Sequence, residues 1–255
     1  MQLAERYGRL ALLGQGGHGE AYQAYDQALD RPVVLKCVAQ SAFSSEVARR
    51  YFLREFKLVS KLQHPNIVRV FDVGMAAGVM YYAMEHLAGH DLSVYLLNEK
   101  PLRHPGFLYS VVQQVAEALD YAHSHGVLHL DVKPSKIMVL PKGDVKLFDF
   151  GLARGPVDDR DAGALLLGTT SAIAPEQLGR GVVDHRADLY ALGVVLHRMA
   201  TGRMPGAAPS LAAVDTGLAT QVAPVVQRLL ATDPADRYQS GRAVAYDLHR
   251  ALFPG

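Results

Sequence analysis

The sequence predicts an α+β chain of two lobes, a small β-rich one followed by a larger helical one. Three observations carry that expectation. The first third alternates short apolar runs with glycine-rich turns, a single amphipathic stretch interrupts it, and from about Leu92 onward apolar residues recur at helical spacing. At 255 residues, with 49% hydrophobic and 20% charged side chains, the chain has room for a sizeable core and is neither disordered nor collagen-like.

The elements follow in order. Leu10-Ala11-Leu12-Leu13, the turn GQGGHGE from Gly14 to Glu20, and Ala21–Tyr25 predict a hairpin. Val33–Val38, preceded by Asp30-Arg31-Pro32, predicts a largely buried strand. From Glu46 to Leu62, apolar residues at three- and four-residue steps predict an amphipathic helix that Pro65 stops. Strands are expected around Ile67–Val73 and Val79–Met84. Phe107–His123 predicts a helix, and Ile137–Leu140 and Val145–Phe148 predict two short strands about the turn Pro141–Asp144. Ala187–Ala200 predicts a helix ended by Thr201-Gly202, and Val222–Ala231 and Ala243–Leu252 predict closing helices.

Charge and cysteine content narrow the function classes. With 26 Lys+Arg against 25 Asp+Glu the net charge is +1, which argues against a nucleic-acid partner held by a broad basic face. The single cysteine, Cys37, excludes an internal disulfide and fits a reducing compartment; it alternates to the strand face opposite Lys36 and reads as a packed thiol. No apolar run approaches the ~18 residues of a membrane span, and the N-terminus does not read as a secretory signal. A cytoplasmic domain with no membrane contact is expected.

Several residues carry chemistry. The glycines at 14, 16, 17 and 19 would let backbone N–H groups approach an anion closely. A dinucleotide-binding loop of this kind should open a helix, whereas here two strands flank it. Lys36 lies in a buried-looking strand and needs an anion; Glu55, on the apolar stripe of the following helix, is a candidate. His129-Leu130-Asp131-Val132-Lys133 and Phe148-Asp149-Phe150-Gly151 each set an Asp among apolar residues, which points to a polar site in an apolar cleft. His123, His125 and His129 read as structural rather than metal-binding, the first two sitting in a turn after a helix.

Taken together, the glycine loop, Val33-Val34-Leu35-Lys36, Glu55, the His129–Lys133 segment, Asp149-Phe150-Gly151 and Ala174-Pro175-Glu176 resemble the ordered motif set of protein kinases. The spacings are similar too: 19 positions separate Lys36 from Glu55 and 18 separate Asp131 from Asp149. The wording of the motifs looks most like the bacterial serine/threonine branch. The resemblance, which runs from Leu10 to Leu252, implies the two-lobed protein-kinase fold, with an N-lobe over 1–86, a C-lobe over 87–255 and ATP in the cleft between them. It implies that Gly14, Gly16 and Gly19 cover the phosphates, with Leu13 beside them, and that Lys36, paired with Glu55, holds the α- and β-phosphates. Met84 would be the gatekeeper, Glu85 to Leu87 the hinge, Asp91 the ribose contact, and Ala21, Val34 and Met138 the adenine walls. Asp131 would orient or deprotonate the acceptor hydroxyl, Lys133 would steady the γ-phosphate and Asp149 would hold Mg²⁺. Glu176 would pair with Arg237, Asp188 would anchor the central helix, and His129 and Phe150, with Val59 and Val70, would form a packed spine.

The chain also departs from the family pattern. Lys136 stands where the family has the Asn that ligates a second metal ion, and an ammonium has no lone pair to offer. Two readings stay open: its charge stands in for a cation near Asp149, or it points to solvent and the site is broken. Leu130 replaces the arginine that would bind an activation-loop phosphate, and no Ser, Thr or Tyr lies between Gly151 and Gly168, so switching by phosphorylation in that stretch is not expected. Thr169, Thr170 and Ser171 remain as acceptors. Ala172 replaces a Tyr, and the segment from Gly206 to Pro224 is short, both where a protein substrate would lie. Ala21 and Val34 hold the places of a Val and an Ala; facing each other, they would nearly conserve volume, or they arose independently. Phe148 is bulky enough to crowd the back of the pocket.

The expected function is therefore ATP-dependent phosphoryl transfer to Ser/Thr of a protein, weak and with one Mg²⁺ ion. The alternative is a nucleotide-binding pseudokinase that acts on a protein partner by shape. A small-molecule phosphotransferase shares a His-x-Asp segment but lacks the pairing of Glu176 with an arginine.

Overall fold

The structure, a computed structural model, describes residues 6–16, 19–39, 56, 59–76, 79–97, 101–102, 104–150, 173–178, 182–206 and 217–254. The chain divides into two units, Met1–Ala88 and Gly89–Gly255. Most of the helix expected over Glu46–Leu62, including Glu55, lies outside the described residues, as do 151–172 and 207–216.

In the first unit five strands form an antiparallel sheet in the order β1-β2-β3-β5-β4: β1 (Tyr7–Gly16), β2 (Gly19–Asp26), β3 (Arg31–Ala39), β4 (Val70–Ala76) and β5 (Val79–Glu85). Alternation sorts the side chains onto two faces. Tyr7, Ala24, Val33, Leu35, Cys37, Tyr81 and Ala83 pack into one cluster, and burial of the Cys37 thiol pushes its pKa up to about 11. A thiol so raised is a packing group with little thiolate at neutral pH. The strand expected at Ile67–Val73 begins instead at Val70: Ile67 and Val68 are buried as its approach, and an irregularity between Val70 and Asp72 resets the register.

The first unit also holds a charge network that sequence inspection did not reveal. The Arg6 guanidinium donates to both oxygens of Asp26, at 2.8 and 2.6 Å, and to Asp72 at 2.8 Å. Asp26 is buried, and its hydrogen bonds from Arg6 hold its pKa below the ordinary carboxylate value despite burial. A carboxyl whose pKa falls on folding stabilises above its unfolded pKa, and that contribution is lost as pH falls through the folded value. The urea midpoint should therefore drop between pH 7 and pH 3, and Asp26→Asn should be less stable at pH 7 yet show a shallower drop. An equal slope in the variant would refute the assignment.

The second unit is mainly helical. A small sheet orders β6 (His90–Asp91), β7 (Ile137–Val139) and β8 (Val145–Leu147). The helices are α1 (Leu92–Tyr95), α2 (Pro105–Ser124), α3 (Pro175–Leu178), α4 (Arg186–Thr201), α5 (Gly217–Leu229) and α6 (Gly241–Leu252). Pro105 opens α2 with its φ already set, and Leu108, Val111, Val112, Val115, Leu119 and Ala122 form the buried stripe. Thr201-Gly202 ends α4 because Gly202 takes φ 76°, and its N–H donates to Arg198 O at 2.8 Å. Helix α5 starts five residues before the expected Val222, so part of the Gly206–Pro224 segment is helical. The Asp120 carboxylate on α2 accepts from Gly241 N at 2.6 Å and Arg242 N at 2.8 Å, which fixes α6 against α2 through its otherwise unpaired first N–H groups. No helix among the described residues is long and apolar enough to cross a membrane.

Candidate active site

The segment 129–133 is fixed from beneath by one buried carboxylate. Asp188, in the first turn of α4 and fully buried, accepts from His129 N at 2.9 Å, from Leu130 N at 2.7 Å and from the ring of His123 at 2.8 Å. Burial works against the charged form, but these hydrogen bonds, led by that of His123, keep Asp188 below the ordinary carboxylate pKa. His123 thus belongs to the last turn of α2 and to this network, not to a turn, because the helix runs one residue past it. With both N–H groups held, Leu130 adopts φ 60°, a left-handed conformation that costs a leucine about 1–2 kcal/mol.

His129 adds a second constraint. Its ring is fully buried, and burial holds its pKa below the ordinary value, so it is neutral. Nδ1 accepts from Asp131 N at 3.2 Å, which leaves Nε2 to donate to Phe148 O, also at 3.2 Å. One imidazole therefore ties the Asp131 backbone to the segment leading into Asp149. Its ring lies 4.4 Å from that of Phe150. Val59 and Val70, grouped with these two from the sequence, are buried in the first unit.

Two lysine–aspartate pairs stand on this frame. Lys133 Nζ lies 2.9 Å from Asp131 Oδ2, with both side chains largely covered. The Lys136 ammonium bonds Asp149 Oδ2, and Asp149 itself sits at φ 62°. Lys136 thus turns inward, and the solvent-pointing reading fails. Among the described residues no three His, Cys, Asp or Glu side chains gather as a metal site.

The residues named for a nucleotide fall in both units. In the first, Gly16 pairs with Gly19, whose φ of 105° needs a glycine, and Gly14 pairs with Ala21, which leaves Leu13 at a register shift with its side chain exposed. Ala21 lies opposite Lys36, while Val34 lies opposite Gln23 and Met84. Ala21 and Val34 are therefore diagonal neighbours on the Lys36 face, not a facing pair, because the β2–β3 register offsets them by two residues. Tyr82, which sequence reading passed over, lies directly opposite Lys36, with its ring centre 5.7 Å from the ammonium. Glu85 ends β5, its N–H donating to Arg69 O at 2.8 Å, and Leu87 follows it, half-buried. In the second unit Asp91 pairs with Met138 across β6–β7, and the Asp91 carboxylate also caps α1 through Ser93 N at 2.9 Å. Arg237 is buried and donates to both oxygens of Glu176, at 2.7 and 2.8 Å, and to the carbonyls of Ala231, Arg186 and Thr232.

A β-sheet unit is thus followed by a helical unit that carries an anchored Asp–Lys loop, tied through His129 to the segment leading into Asp149. The chain belongs to the protein kinase family: the family model described as "Protein kinase domain" matches residues 7–240. Among its relatives is the serine/threonine-protein kinase pkn3 of Myxococcus xanthus, 37% identical over 96% of this chain and 50% of that protein. Another is PrkC of Bacillus subtilis, 30% identical over 98% of this chain and 41% of that protein. The chain thus spans half or less of the length of these relatives. The crystal structure of the Mycobacterium tuberculosis PknI kinase domain superposes with a TM-score of 0.80 at 31% identity, covering 97% of this chain and 96% of that one.

Proposed function

We propose that this domain catalyses ATP-dependent phosphoryl transfer to serine or threonine of a protein, slowly, with Mg²⁺ as a single ion, in the cytoplasm. The observation that carries the reading is the Asp131–Lys133 pair, held on a loop that Asp188 and His129 fix from two sides. Bacterial relatives named as serine/threonine kinases support the acceptor class. A chain with one cysteine, buried in the sheet, relies on no internal disulfide, which fits a reducing compartment.

In this reading the N-lobe is 1–86 and the C-lobe 87–255, two residues from the division into units after Ala88. Gly14, Gly16 and Gly19 cover the phosphates with Leu13 beside them, and Lys36, paired with Glu55, holds the α- and β-phosphates; Ala21, Val34, Met84, Glu85, Leu87 and Met138 meet the adenine, and Asp91 the ribose. Asp131 accepts the proton of the acceptor hydroxyl as its oxygen bonds to the γ-phosphorus and the bond from that phosphorus to the β-phosphate oxygen breaks, releasing ADP. Lys133 steadies the transferring group. The Asp149 carboxylate, a hard oxygen donor, suits Mg²⁺, which when bound neutralises phosphate charge.

A thermal-shift titration with ATP, with and without Mg²⁺, run beside a labelled-phosphate transfer assay on a generic protein, tests the reading. Stabilisation should grow with free ligand as binding to the folded state requires, and label should appear on Ser and Thr. Stabilisation without transfer under any condition would leave a binding module instead of an enzyme. Label on Tyr would overturn the acceptor class.

A further inference from the structure

The cation on Asp149 is built into the chain, and the backbone brings it within reach. Lys136 closes the 3₁₀ turn Pro134–Lys136; its N–H donates to Lys133 O at 2.8 Å and its carbonyl accepts from Phe148 N at 3.0 Å. The next ladder pair is Ile137 with Leu147, so the β7–β8 register brings position 136 opposite 148 and next to 149. Strand pairing thus brings the two residues within reach of one another, and the ammonium bonds Asp149 Oδ2. Both groups are largely withdrawn from water, with side-chain exposures of 17% and 12%, which strengthens their attraction relative to a surface pair. Asp149 takes φ 62°, a left-handed conformation uncommon for a residue other than glycine.

Protein kinases hold two divalent ions, one on the Asp of the Asp-Phe-Gly motif and one on the Asn of the catalytic loop. The residues present fit the first, because Asp149 offers hard oxygen. They do not fit the second, because Lys136 offers three N–H donors and no lone pair, and its ammonium already occupies one Asp149 oxygen.

We infer that Lys136 replaces the second ion: its ammonium remains on Asp149 as a resident monovalent cation, nucleotide binds with one divalent ion, and its affinity depends little on divalent metal. The inference deepens the proposed function and rests on it only for nucleotide binding, not for transfer.

The test uses the full chain with a non-hydrolysable ATP analogue, Mn²⁺ counted by electron paramagnetic resonance, and analogue affinity measured by calorimetry with Mn²⁺ or with EDTA. The wild type should bind one Mn²⁺ per analogue and lose less than about tenfold in affinity in EDTA, about the change a single modest interaction makes. Lys136→Asn should bind two Mn²⁺ and lose well over about tenfold in EDTA, because both phosphate-neutralising cations are then exchangeable. Lys136→Met, which removes the charge and adds no ligand, should keep one Mn²⁺ yet share the EDTA sensitivity. Two Mn²⁺ on the wild type, equal EDTA sensitivity in all three proteins, or no analogue binding would overturn the inference. If either variant fails to fold, the wild-type stoichiometry decides alone. Failed transfer with one Mn²⁺ bound refutes the kinase reading and spares this one; two Mn²⁺ with active transfer does the reverse.

Discussion

Asp131→Asn is expected to lower phosphoryl transfer about 10²- to 10⁴-fold, the range by which a positioned general base contributes, while leaving ATP binding within twofold of wild type. The substitution keeps the shape of the side chain, and the Asp131 N–H still donates to His129 Nδ1. What it removes is the proton acceptor and the charge that Lys133 Nζ meets at 2.9 Å. Lys133→Met should reduce transfer as well, and the double variant should be little worse than Asp131→Asn alone, because residues that act as one unit are not additive. Transfer rates by labelled phosphate and ATP affinity by calorimetry, read on the same preparations, check this. Wild-type transfer by Asp131→Asn would remove Asp131 from the chemistry.

The largest expected effect on stability comes from Glu176→Ala. Arg237 is fully withdrawn from water, and the Glu176 carboxylate balances its charge through two short hydrogen bonds. Removing that carboxylate leaves a buried guanidinium without a counter-charge, a change that costs about 3–5 kcal/mol. For a domain of this size each kcal/mol moves Tm by roughly 2–4 °C, so a fall on the order of 6–20 °C is expected. Replacing both partners with apolar residues, Glu176→Leu with Arg237→Met, should cost less than Glu176→Ala alone. The double variant strands three carbonyls, of Ala231, Arg186 and Thr232, but no charge. Calorimetric or urea unfolding of the three proteins decides it; a Tm for Glu176→Ala within about 2 °C of wild type, under 1 kcal/mol, would mean that water reaches the guanidinium.

Elements that announce themselves through local pattern were read closely. The stripe at Leu108, Val111, Val112, Val115 and Leu119 defines α2 to within two residues, and the Thr201-Gly202 stop falls at the end of α4. Such features depend on side-chain period and on the conformations glycine alone adopts easily, which neighbouring residues decide among themselves. The strand around Ile67–Val73 was misplaced for the converse reason: Ile67 and Val68 are apolar because they are buried, not because they pair in the sheet. The facing of Ala21 and Val34 failed on register, which composition does not encode.

By itself the sequence determined the order of the chemical groups: a glycine loop, Lys36, Asp131 with Lys133, Asp149, Glu176 and Arg237, and the unusual Lys136 among them. It left open whether Lys136 faces water or the site. Tertiary structure decided that, along with the Arg6–Asp26–Asp72 network, the placing of His123 on Asp188 and the seating of α6 on Asp120. The physical reason is common to all of them. A charged side chain can satisfy itself equally well in water, and only the register of strands and the crossing of helices, contacts between residues far apart in the chain, bring its partner within reach.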